Sequence, residues 1–133
     1  MHPMHINFYD DPLQAPKTRD EVKLNQIGLY IYPEGRKVAV GLDITPFLER
    51  PSIEITVLNE HGERAAALTV IESLERNFTM TLHLRDKELT RLYQIQVVLY
   101  YSNVETREWL TVDNQTATFD VTRPGELIAH TNH

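Results

Sequence analysis

Apolar and polar residues alternate almost strictly over residues 93–101, where Tyr93, Ile95, Val97, Leu99 and Tyr101 fall on one side of an extended chain. A period of two gathers such a set on one face of a β-strand, whereas a helix would scatter it around its axis. The rhythm recurs along the chain. Residues 26–32 align Ile27, Leu29 and Ile31 and stop at the turn sequence Pro33-Glu34-Gly35. Residues 37–45 align Val38, Val40, Leu42 and Ile44 before Pro46, and residues 52–58 align Ile53, Ile55 and Val57 against Glu54 and Thr56. Residues 77–85 align Phe78, Met80, Leu82 and Leu84.

The connections are short and carry turn chemistry. Asn59-Glu60-His61-Gly62 reads as a hairpin, with Gly62 free to take positive φ. Residues 64–71 return from it, although Ala65, Ala66 and Ala67 leave a short helix open. Residues 86–92 have no period and read as a crossing loop. Residues 108–112 and 116–121 read as two strands joined by a hairpin loop at Asp113-Asn114-Gln115. Pro3, Pro12 and Pro16 make residues 1–21 an irregular arm with a short strand at 6–9, and Arg123-Pro124-Gly125 opens a similar tail over 123–133. The prediction is one all-β domain over residues 22–122, an antiparallel sandwich of about seven to eight strands; a closed barrel is the second choice.

Leu89-Thr90-Arg91-Leu92-Tyr93 just before the alternating run resembles the corner that fibronectin type III and immunoglobulin-like domains build ahead of their penultimate strand. The resemblance implies an immunoglobulin-like sandwich, in which Leu89 and Tyr93 pack at one end and the tyrosine hydroxyl bonds back to the main chain. Trp109 departs from the pattern by lying late in the chain, and the paired cysteines of antibody-type domains are absent. The fold hosts many unrelated activities, so the resemblance names none.

Composition narrows the chemistry. Hydrophobic residues make up 41% of the 133, above the level of a disordered chain. The chain has no cysteine, which removes disulfides, thiolate catalysis and cysteine-based zinc sites. A net charge of −6 repels phosphate backbones and anionic lipid, and the 13 lysines and arginines are scattered, so nucleic acid and membrane are not expected partners. No apolar run is long enough to span a membrane, and no secretory leader precedes the first strand, so cytoplasmic residence is the expectation. The triplets at Asn77 and Asn114 match a glycosylation acceptor only at the frequency expected by chance.

No catalytic motif assembles. His2 with His5 and His130 with His133 have chelating spacing at the two ends but read as solvated imidazoles, so no metal or cofactor is assigned. His61 and His83 lie in a turn and on a polar strand face, and Ser52, Ser73 and Ser102 are outside any nucleophile elbow. The many carboxylates read as a charged surface rather than a glycosidase pair, and no glycine-rich phosphate loop exists. The aromatic residues point elsewhere. Tyr30, Tyr32, Tyr100 and Val98 fall on the faces opposite the core sets, where tyrosine offers large apolar area at low rotamer cost. Either a partner covers them or the N-terminal arm does, through Ile6, Phe8 and Leu13. The reading is a non-enzymatic interaction or structural module that binds a protein, possibly a second copy, through a tyrosine-bearing face or an edge strand. The alternative is a carbohydrate-binding or carboxylate-based hydrolase domain; a carbohydrate binder needs an exposed planar platform, for which Trp109 is the sole tryptophan.

Overall fold

The computed structural model describes residue 6 and residues 15–103, 105–125 and 127–131. After a short 3-10 turn at Arg19–Glu21, eight strands follow: β1 (Leu24–Ile31), β2 (Lys37–Ile44), β3 (Ser52–Leu58), β4 (Arg64–Val70), β5 (Asn77–His83), β6 (Leu92–Asn103), β7 (Glu108–Asp120) and β8 (Leu127–Thr131). They form two four-stranded antiparallel sheets, ordered β5-β2-β1-β8 and β4-β3-β6-β7. The molecule is a β-sandwich.

The period-two sets meet between the layers. Ile27, Leu29 and Ile31 of β1 and Val38, Val40 and Leu42 of β2 face Ile53, Ile55 and Val57 of β3 and Ile95, Val97 and Leu99 of β6, all fully buried. Each such side chain contributes roughly 1.5–3 kcal/mol of burial, so the alternation fixes register: a one-residue slip in β6 would bring Gln94 and Gln96 inside. Tyr93 and Phe119 stack at 5.5 Å at one end of this core.

One open choice closes and two expectations change. Residues 64–70 form strand β4, paired with β3 from Ile53↔Val70 to Val57↔Ala66, because cross-strand pairing overrides the helical preference of three alanines. Residues 113–115 are no hairpin loop. β7 runs unbroken to Asp120, with a bulge between the pairs Leu99↔Asp113 and Tyr100↔Thr111 that absorbs the change in period. The tail is partly regular: β8 pairs with β1 from Gln26↔Thr131 to Tyr30↔Leu127, entered through Gly125 at φ 78°. The expected strand at 6–9 falls outside the described residues except for Ile6, which belongs to no strand.

The two long sides of the sandwich differ. On one, β7 is stitched to the start of β1: Leu24 N–H donates to Asp113 Oδ2 at 2.8 Å and Gln115 Nε2 donates to Leu24 O at 2.6 Å. On the other, the edge strands β4 and β5 belong to different sheets and leave the interior open between them.

Candidate functional site

Strand alternation delivers the sequence-predicted residues to three separate places. Tyr30 and Tyr32 lie at the outer face of the β5-β2-β1-β8 sheet, half-buried and edge-to-face at 5.4 Å. Lys37 Nζ stands 4.6 Å over the Tyr32 ring, a cation–π contact. On the same face Ile6 is buried over Gly41, and its N–H donates to Thr79 Oγ1 at 2.9 Å. A Cβ at Gly41 would meet the Ile6 Cβ at 2.9 Å, so the glycine is what admits the isoleucine. Phe8 and Leu13 lie outside the described residues.

Tyr93 is buried, accepts from Thr90 N–H at 3.1 Å and donates to Asp86 Oδ2 at 2.9 Å. Asn59 Nδ2 donates to the same carboxylate oxygen at 3.1 Å, while Asn59 Oδ1 accepts from His61 and Glu63 N–H. One asparagine therefore ties the β3–β4 turn to the β5–β6 crossing. Burial pushes the Tyr93 phenol above its ordinary range. Leu89 does not pack here. It is 38% exposed, whereas Leu84, whose N–H donates to Arg36 O, is buried in the core.

Tyr100 does not face water either. It is 3% exposed, lying under Trp109 with ring centroids 3.7 Å apart and planes within 10°. Trp109 remains 54% exposed, and its indole N–H donates to Thr111 Oγ1 at 3.1 Å. Thr111 also borders a cavity of about 360 Å³ lined by Gln96, Asn114 and Thr116 over half-buried Val98. The strand pattern places Tyr100 and Val98 on this face and offers Trp109 as an exposed platform, but does not join them; the register Ser102↔Trp109 beside Tyr100↔Thr111 is what seats the indole diagonally on the phenol.

A further apolar opening lies at the other side of the sandwich. Between β4 and β5 a groove of about 450 Å³ has Leu68, Val70, Phe78 and Met80 as its floor. Ile71 and Leu74, 66% and 74% exposed, flank it with Glu72 and Glu75. Glu72 adopts φ 47°, costly for a side chain with a Cβ, and its N–H is held by Ser52 Oγ. β4 and β5 supply Leu68, Val70, Phe78 and Met80 to the core face, and among the described residues no strand pairs beyond either edge.

Serines 52 and 73 are buried and engaged, Ser52 Oγ as acceptor from Glu72 N–H and Ser73 Oγ as donor to Glu75 O. His61 and His83 are exposed, and among the described residues no three His, Asp or Glu side chains are grouped to hold a metal ion. Among those residues no helix is long and apolar enough to cross a membrane.

No protein-family model matches the chain, and no curated protein does. Among solved structures, a Bifidobacterium dentium β-glucuronidase complexed with coumarin-3-O-glucuronide is similar at TM-score 0.53 and 15% identity, over 74% of this chain. The chain spans 18% of that protein's length. The likeness is one of fold alone.

Proposed function

We propose that this domain is a non-enzymatic interaction module whose contact is the open side between β4 and β5, and that its partner is a second copy of the chain. The observation that carries the reading is the groove over Leu68, Val70, Phe78 and Met80, where core side chains reach the surface beside an unguarded strand edge. Natural edge strands are blunted by lysine, proline or inward charge; β4 carries none between Ala65 and Val70. Charge favours a two-fold arrangement. Exposed Arg64, His83 and Arg85 stand at one end of the open side and Glu72 and Glu75 at the other. Antiparallel pairing of β4 with its own mate brings opposite ends together, while a parallel arrangement would stack like charges. The immunoglobulin-like connectivity is supported by β5-β2-β1, extended by β8, in one layer against β4-β3-β6-β7 in the other, and by the Tyr93 hydroxyl turned back to Thr90 ahead of β6. The Tyr30–Tyr32 face is a secondary contact in this reading, narrowed by Lys37 over Tyr32.

Sedimentation velocity across a dilution series tests it. The native chain is expected to pass from dimer to monomer on dilution, and Leu68→Lys to raise the dissociation constant at least tenfold with an unchanged circular dichroism spectrum. A native chain that stays monomeric up to about 1 mM, the weakest affinity worth assigning, refutes the reading.

A further inference from the structure

The outer face of the β4-β3-β6-β7 sheet offers a second site, on a different surface from the open edge. Its centre is the exposed indole of Trp109. With Tyr100 stacked beneath it, the exposed area belongs to the ring face turned away from the sheet. The indole N–H is already donated to Thr111, which together with the stacking fixes the ring in one orientation. What the residue presents is therefore a rigid, flat, electron-rich surface, not a hydrogen-bonding edge. Beyond the shared Thr111, the adjoining cavity exposes amides and hydroxyls: Gln96, Asn114 and Thr116.

We infer that this face binds a neutral carbohydrate, with one pyranose ring seated on Trp109 and its neighbour reaching the amide-lined cavity. A β-linked pyranose has weakly positive axial C–H bonds on its faces and hydroxyls around its rim. The C–H face matches the negative π-surface of the indole, and the rim hydroxyls, which both donate and accept, match Gln96, Thr111, Asn114 and Thr116. At about 360 Å³ the cavity is at the small end of ligand sites, suited to a single sugar unit. Charge favours neutral sugars: Glu54 stands near the Tyr100 hydroxyl under the indole, so a uronate set there would meet like charge.

Because Trp109 is the chain's one tryptophan, intrinsic emission reports this face directly. The probes are cellohexaose, mannohexaose and, as the anionic comparison, a hexamer of galacturonic acid, each titrated into the full chain. At least one neutral hexamer is expected to shift the emission saturably with a dissociation constant near 1 mM or tighter. The galacturonate hexamer is expected to leave it unchanged. By calorimetry, Trp109→Ala should abolish the binding heat, Trp109→Tyr should retain a weakened interaction through the smaller ring, and Asn114→Ala should weaken binding about tenfold. Unchanged emission with both neutral hexamers at about 10 mM, ten times that constant, overturns the inference. So does binding that survives in Trp109→Ala, or a preference for the galacturonate. None of these outcomes bears on dimerisation, which is read from a different edge.

Discussion

Asp43 is a carboxylate buried in the sandwich at a cost. It sits on the outer face of β2, paired in register with Asn77 and Gln26, and is 5% exposed. The side chains of Asn77 and Asn25 lend hydrogen bonds, yet its Oδ1 has no partner. Burial outweighs those bonds and raises the carboxyl above its ordinary value of 3.8. An acid raised in the folded state binds protons more tightly there than in the unfolded chain. Its contribution to stability is therefore complete below the unfolded value and is lost as pH rises through the folded one. Asp43→Asn removes the charge and keeps the shape. It should raise the melting temperature by a few degrees at pH 7, and the gain should vanish as pH falls below about 3.8. Thermal melts of both proteins across pH 3–7 check this, and a gain independent of pH would assign the effect to something other than the carboxyl charge. The strand pattern alone puts Asp43 on an outward, charged face; the asparagines Asn25 and Asn77 around it come from neighbouring strands.

At the scale of elements, the alternation made β1, β2, β3, β5 and β6 legible almost to the residue, because each places an apolar set on one buried face. β4 was less legible, because alanines carry no β preference, and its strand character comes from β3 alongside it. β7 was misread as two strands because the bulge at residues 112–113 shifts the alternation by one, and a shifted period looks like a break. β8 is short and follows a proline and a glycine, so local signals favoured a tail; its pairing with β1 is a long-range fact. The site divided the same way. Facing could be read for Tyr100 and Val98, but which ring covers which depends on cross-strand diagonals that one strand's sequence does not contain. Ile6 against β2 is the most testable of these long-range contacts. Gly41→Ala should cost about 1–3 kcal/mol by overpacking, read from denaturant unfolding. In an Ile6→Ala background the same substitution should cost far less, since the atoms it meets are gone. Equal costs in both backgrounds would mean that Ile6 does not occupy this groove in solution.

The whole molecule is asymmetric from side to side. β7 is bonded to β1 through Asp113 and Gln115, closing one long side, while the side between β4 and β5 shows core residues to solvent. If two copies join through β4, each sheet face bearing Trp109 continues into its mate's, and two carbohydrate platforms lie on one extended surface. Simultaneous engagement of a polymer would then exceed the affinity of either platform alone. The symmetry of that dimer gives its sharpest test. In an isologous contact each residue is used twice, so an antiparallel β4 pair centred on Leu68 brings Arg64 toward the mate's turn that carries Glu72, just past Val70, at both ends. Arg64→Glu creates two repulsive contacts in its homodimer, and Glu72→Arg does the same with opposite sign. Each variant alone is expected to be monomeric at concentrations where the native chain dimerises. Mixed in equal amounts, they should form a heterodimer. At one end the introduced glutamate then meets the introduced arginine, and at the other the remaining Glu72 of one copy meets the remaining Arg64 of its mate. Native mass spectrometry of the mixture separates the three species. Homodimers of either variant persisting at native strength, or a mixture that stays monomeric, would show that these charges do not meet across a two-fold axis.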